Sequence, residues 1–281
     1  MEAFKFVGPR GSIDFSLASK YVFTSVEGLN GASTTRQENT YAGLDGADYT
    51  DILYQPETLT IKGFICAGSR QELVSLRANL FRILNGKDNG TLFYQAGSKQ
   101  YFTEAQTVKP LTGERMQNIL PFTVYFERNK VLWKRNIAHN YDIYRRENKL
   151  KTTFTLPCAF STRDTVTTVY NAGDLPADCI ITIAGITPSA KTGTQGIEIK
   201  NNTTGEGIYL DCAVEQGETI TIDTGNTTVI SSLRGNIMNH LLSESVFFKL
   251  PLGESEIEAV NKNPANELAA AIQYYHVVLG V

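Results

Sequence analysis

Few side chains in this chain could move a proton, hold a metal or attack a carbon, and they are scattered. Three histidines serve 281 residues: His139 in a basic segment, His240 in a polar break and His276 in the last apolar run. None stands beside an acid or nucleophile at a spacing that general acid–base catalysis uses. Four cysteines, Cys66, Cys158, Cys179 and Cys212, form no Cys-x-x-Cys pair and have no histidine at metal-ligand spacing. Three of them, Cys66, Cys179 and Cys212, abut strand-like apolar runs and read as small buried hydrophobes. A structural disulfide is disfavoured in reducing cytosol. Glu254, Glu256 and Glu258 share one side of an extended segment. A glycosidase needs two carboxyl groups about 5–10 Å apart across a cleft; adjacent glutamates meet the distance and nothing else, so they read as a charged, solvated sheet edge. No Gly-x-Ser-x-Gly elbow, phosphate-binding loop, His-Glu-x-x-His or calcium-loop pattern occurs. The expectation is no catalytic residue, no cofactor and no metal: a structural or binding protein, not an enzyme.

The elements that carry these residues are mostly strands. One helix is predicted, Ser69 to about Asn85. Ser69 is its N-cap and Glu72 the second half of a capping box. Leu73, Leu76, Leu80 and Ile83 recur at spacings of three and four and form one apolar face, and Gly86 follows as a left-handed C-cap. Around the helix, Ile13, Phe15 and Leu17 alternate with polar neighbours, as do Leu59 and Ile61, and Phe122, Val124 and Phe126. Residues 90–94 and 100–103 read as a hairpin about Gly97. Between Gly28 and Tyr54 lies a polar stretch too long for an ordinary turn, with a tight-turn signal at Asp45-Gly46. It is either a mobile loop or an extended arm that leans on another chain. The second half is a run of short strands with breaks every 10 to 15 residues, the spacing of a sandwich. Val246 to Phe248 reads as one of these strands, and 263–273 as room for a short helical turn.

Charge divides the chain. Residues 1–150 hold 19 Lys/Arg against 15 Asp/Glu, and residues 151–281 hold 7 against 14. Neither half is basic enough for sequence-specific nucleic-acid readout. A poorly periodic basic segment separates them, which places a β-rich unit of alternating strands with the helix at 1–135, a basic connector at 136–150 and a second β-rich unit at 151–281. Trp133 is expected to tuck into a domain face. The first residues contain no cationic segment followed by an apolar run, so no cleaved signal peptide is expected. No apolar stretch reaches about 18 residues, so no membrane span is expected.

An ordered set of turn and strand motifs carries a family resemblance. In the first half these are Gly43-Leu-Asp-Gly46, Leu59-Thr-Ile-Lys-Gly-Phe64, the 69–85 helix, Gly90-Thr-Leu-Phe-Tyr94 and Pro121-Phe-Thr-Val-Tyr-Phe126. In the second they are Asn171-Ala-Gly-Asp174, Thr204-Gly205, residues 217–224 and residues 247–253. In this order and spacing the chain resembles the distal tail proteins of long-tailed bacteriophages, over nearly its whole length. The resemblance implies a mainly β fold, with an N-terminal β-sandwich carrying one α-helix and a C-terminal galectin-like β-sandwich. It implies a homo-hexameric ring at the tail tip that joins the tail tube protein to the tail-tip hub protein, lets DNA pass through its centre, and can dock receptor-binding or baseplate proteins. It implies a place in the virion, assembled in the cytoplasm of the host bacterium.

Within that picture the 28–54 stretch is the expected ring contact, with Arg36, Tyr41 and Tyr49 as its contact residues. A carbohydrate-binding or adhesion module is the alternative reading, with Tyr274-Tyr275 as a stacking platform. Sugar-binding galectins use a His-x-Asn-Pro-Arg segment and a stacking tryptophan. Here His139-Asn140 leads into Tyr141, and the single tryptophan, Trp133, precedes the second unit. The departure argues against sugar binding.

Overall fold

A computed structural model describes residues 2–39, 48–128, 130–148, 161–188, 195–263 and 266–281. It divides into two compact units, residues 1–136 with 278–281, and residues 137–277. The elements of the first are β1 (Glu2–Gly8), β2 (Gly11–Phe15), β3 (Tyr21–Glu27), β4 (Thr34–Asn39), β5 (Asp48–Tyr54), β6 (Glu57–Cys66), α1 (Arg70–Ile83), β7 (Asn89–Ala96), β8 (Lys99–Thr112), β9 (Ile119–Arg128) and the start of β10 (Trp133–Asn148).

The two-residue period of the sequence becomes a sheet with one buried face. Phe4, Phe6, Ile13, Phe15, Leu59, Ile61, Val124 and Phe126 point into one core. The sheet also closes on itself. Strands β7, β1, β2, β3, β6 and β9 pair in that order, and β8 bonds to both β7 and β9. A single strand serves both neighbours because β8 is long: residues 99–106 pair with β7 and 106–112 with β9, with an irregularity between Thr107 and Pro110. Proline cannot donate to a ladder, so it belongs at such a break. Closure removes the exposed edges that an open sheet must protect.

Helix α1 follows β6. Ser69 Oγ accepts from the Glu72 N–H, and Glu72 Oε2 reaches back to the Gly68 N–H at 2.6 Å. Hydrogen bonds to that amide and from Lys20 hold the Glu72 carboxyl below its ordinary value. Leu73, Leu80 and Ile83 are buried in the barrel core and Leu76 packs at its rim. The helix ends at Ile83, with Leu84 as its C-cap, rather than at Asn85. Gly86 is not left-handed; a Cβ there would meet Val108 O at 2.8 Å and Thr107 O at 3.0 Å. Glycine is required for close approach to β8, not for a cap.

The second unit holds the rest of β10, with β11 (Ser161–Asp164), β12 (Val166–Asn171), β13 (Cys179–Gly185), β14 (Ile197–Asn201), β15 (Glu206–Leu210), β16 (Thr219–Asp223), β17 (Thr228–Ser231), β18 (Gly235–Asn236), β19 (Gly253–Asn261) and β20 (Leu268–Val278). One sheet runs β18-β17-β16-β13-β20-β10, with β11 on β10, and the other runs β12-β19-β14-β15. Each buries alternate side chains, such as Ile181, Ile220 and Ile272 in the first and Ile199, Ile208 and Ile257 in the second. The Tyr274 hydroxyl of β20 donates to Tyr170 O of β12 at 2.7 Å and ties the two sheets.

Three local expectations change. Residues 136–148 of the expected connector at 136–150 belong to one 16-residue strand, Trp133–Asn148, and 149–150 lie outside the described residues. Val246 to Phe248 is not a strand; Val246 N–H bonds to Gly207 O at 2.7 Å and Phe248 is buried from an extended loop. From Leu268 on, the supposed helical turn is β20. The expected strand at Phe154 and Leu156 lies outside the described residues. The one helix besides α1 among the described residues is a 3-10 turn, Met238–His240.

Candidate functional site

The chemistry-bearing residues do not converge. His276 is buried and its ring stacks on His139 at 4.0 Å, with Tyr274 5.4 Å from His139 on the same aromatic pile. The Ala172 N–H donates to His276 Nε2 at 3.2 Å. Burial, aided by Tyr141, pushes the Tyr274 hydroxyl far above its ordinary value, so it stays a proton donor. Tyr274 is fully buried, which removes it as a sugar-stacking platform. His240 pairs with Asp211 at 2.8 Å in the 3-10 turn. Burial pushes the Cys179 thiol up to about 12, and Cys212 up as well, so neither is a thiolate near neutrality. The three described cysteines are free, and Cys158 lies outside the described residues. Glu254, Glu256 and Glu258 are not on a sheet edge: β19 lies between β12 and β14, and the glutamates form its outer face. Among the described residues no group of three or more His, Cys, Asp or Glu could hold a metal ion. No helix among the described residues is long and apolar enough to cross a membrane.

What the first unit builds instead is a projecting arm with a fixed root. The polar stretch after Gly28 forms a two-stranded sheet of its own, β4 against β5, with Arg36 opposite Ile52 and Glu38 opposite Tyr49. Arg36 is exposed, as are Ile52, Leu53 and Tyr54. Tyr41 and the Asp45-Gly46 turn lie outside the described residues. Among the described residues β4 pairs with no strand but β5, and an isolated two-stranded hairpin is marginal in water. Three exposed apolar side chains on such a hairpin need a partner surface.

The root is held by Arg128, which is 1% exposed. It continues the inward parity of Phe122, Val124 and Phe126 on β9, and stands directly opposite Glu57 on β6. Its Nη2 donates to Glu57 Oε2 at 2.8 Å and to Gly28 O at 3.1 Å, and its Nη1 donates to Val131 O at 3.1 Å. The guanidinium carbon lies 5.3 Å from the Trp133 ring centre. Glu57 Oε1 accepts from the Ser33 N–H at 2.9 Å, and the Gln55 N–H closes the neck onto Ser33 O at 2.9 Å. Arg128 thus grips the residue that enters the arm and the residue that leaves it. Burial lowers the Arg128 pKa while Glu57 raises it, and the guanidinium stays charged. Gly28 is left-handed, at φ +93°, and a Cβ there would meet Thr58 O at 2.5 Å. Sequence analysis did not single out Arg128. The signal that could have found it is parity: a charge at the inward position of an apolar strand needs a buried partner.

A second feature of the first unit is a surface hollow of about 740 Å3 beside β1, β2 and β7. Its charged lining residues are Lys5 and Asp14, which lie 3.5 Å apart, and it offers no catalytic pair.

Two family descriptions match in tandem. Residues 12–128 match the phage tail protein RIFT-related domain, and residues 172–276 match the siphovirus-type tail component, C-terminal domain. The first match lies within the closed-barrel unit and the second within the two-sheet unit. The chain belongs to the distal tail proteins of siphophages. Solved structures carry the same fold from end to end. A crystal structure of the phage SPP1 Dit protein, described as a paradigm of the hub adsorption apparatus of phages that infect Gram-positive bacteria, aligns with TM-score 0.66 and 13% identity over 98% of both chains. Chains of the phage P2 baseplate in its activated conformation, with Ca or with Sr, align with TM-score 0.57 and 13% identity over 97% of this chain and 98% of theirs. No curated protein sequence matches the chain significantly. The family is a structural component of phage tails.

Proposed function

We propose that this distal tail protein closes into a homo-hexameric ring at the tip of the tail, joins the tail tube protein above to the tail-tip hub protein below, and leaves a central passage for DNA. The observation that carries the ring is the arm. A closed barrel has no strand edge to offer a neighbour, so lateral contact must come from outside it. The β4–β5 hairpin is anchored at its neck and exposes Ile52, Leu53 and Tyr54. Such a surface fits the heterologous, head-to-tail contact that a ring requires. Arg36, Tyr41 and Tyr49 belong to this contact, and the first unit forms the ring. Receptor-binding or baseplate proteins can dock on the galectin-like second unit. Assembly takes place in the host cytoplasm.

Native mass spectrometry of the purified chain across concentration tests this reading. Six copies, falling to monomers when residues 34–54 are replaced by a short Gly/Ser loop, is the expected result. A hexamer of unchanged stability without the arm would remove the arm from the interface. Absence of six-fold density for this chain beneath the tube of intact particles would remove the ring.

A further inference from the structure

A heterologous ring contact needs two different patches on one chain, and the arm is only one of them. Helix α1 supplies a candidate for the other. Its buried side is Leu73, Leu80 and Ile83. On its solvent side a second apolar row recurs at helical spacing, Val74, Ala78 and Phe81, with Val74 63% and Phe81 40% exposed. A surface helix normally carries one apolar stripe, and an outward one asks for a partner. The row is bracketed by Arg70 and Arg77, both exposed, and the Arg77 guanidinium carbon lies 5.8 Å from the Phe81 ring centre. Neither arginine makes an ion pair among the described residues, whereas Arg82 is engaged with Arg10 O and Asn79. The helix sequence carries three arginines against Glu72.

The arm is the complement. Residues 34–54 carry Glu38, Asp45, Asp48 and Asp51 against the single Arg36. Ile52 is 55% and Leu53 45% exposed, next to the exposed Asp51. An acidic hairpin with an apolar end matches a basic helix face with an apolar row in both sign and character. The surface hollow beside β1 is another opening in this unit, but its Lys5 and Asp14 already neutralise each other, so it offers no charge for the hairpin to meet.

We infer that the outer face of α1, Arg70, Val74, Arg77 and Phe81, is the acceptor that receives the β4–β5 hairpin of the adjacent copy in the ring. The inference rests on the ring reading above and assigns its second half. Attraction between exposed charges sets register and encounter, and burial of the two apolar rows supplies cohesion.

The test is a charge swap in the full chain. Arg77→Glu and Asp51→Arg are exposed changes, so circular dichroism and the thermal midpoint should not move. Each alone is expected to raise the midpoint concentration of assembly, read by light scattering, by about tenfold, and the double variant to bring it back towards wild type. Val74→Asp should prevent assembly at any salt, whereas the Arg77→Glu effect should shrink as salt is added. A wild-type hexamer that tolerates both Arg77→Glu and Val74→Asp overturns the inference while the ring stands. A hexamer that tolerates them but no longer captures the tube or hub protein assigns the face to that partner instead, which also overturns it. A chain that stays monomeric at every concentration, alone and with tube and hub proteins, removes the ring reading and this inference together.

Discussion

The Arg128 clamp gives the sharpest perturbation, because one side chain joins the barrel to the neck of the arm. Arg128→Met keeps an apolar stem of similar length and removes the three donations, to Glu57 Oε2, Gly28 O and Val131 O. Removing one partner of a buried ion pair costs about 3–5 kcal/mol when the remaining charge is stranded. Glu57 is not fully stranded: its side chain is 19% exposed and it keeps the Ser33 amide. The two carbonyls lose a charged donor, and the aromatic contact with Trp133 is replaced by thioether packing. The balance is a loss of about 3 kcal/mol, or about 10 °C in the melting of the first unit by calorimetry. The same variant should speed hydrogen exchange at the Ser33 and Gln55 amides, which the clamp protects, and leave amides of the second unit unchanged. The Lys62–Glu27 pair is the control, since both of its side chains are largely exposed; Lys62→Met should leave the transition where it is. A drop below about 2 °C with unchanged exchange at residues 33 and 55 would refute the clamp and show the arm's neck to be held by its backbone alone.

Three further outcomes are expected. In the second unit, burial pushes the Glu218 carboxyl up, but bonds from the Glu215 N–H, Ser231 Oγ and Arg234 Nε outweigh it and hold it below the ordinary value of 4.5. Its stabilisation is therefore present above the ordinary glutamate range and lost as pH falls through the folded value; Glu218→Gln should cost about 2–4 kcal/mol at pH 7 and flatten the acid limb of the melting curve below pH 4.5, and an unchanged limb would refute this. Gly86→Ala should cost about 1–3 kcal/mol in urea denaturation, because its Cβ would press on the backbone oxygens of Val108 and Thr107, 2.8 and 3.0 Å away. Tyr21→Phe removes the donation to Leu76 O at 2.9 Å and the acceptor of the Asn79 amide, and should lower stability by about 1–2 kcal/mol without loosening the barrel strands in hydrogen exchange.

Elements that announce themselves by local period were legible in the sequence. Helix α1, its Ser69 cap and the β7–β8 hairpin about Gly97 follow from side-chain spacing and one left-handed glycine, which are short-range facts. Closure of the barrel was not legible, because it depends on β8 being paired by two strands whose registers no local pattern specifies. Strand β10 hid for a related reason: charge on alternate and adjacent positions masks period two, and only partner strands reveal it as extended. The arm was legible as too long and too polar for a turn, but not as a hairpin with a built neck. Yet the neck had a signature. Glu57 shares the inward parity of Leu59 and Ile61, and Arg128 that of Phe122, Val124 and Phe126. Glu218 does the same ahead of Ile220 and Ile222, and its partner Arg234 follows β17. In each case a charge stands where the strand pattern demands an apolar residue, and in each case an opposite charge far along the chain meets it. Burying such a group without a partner is prohibitive, so a charged residue at an inward position implies a second one. That rule converts two apparent flaws in the periodicity into long-range contacts, and in the first unit it leads from the barrel wall to the arm.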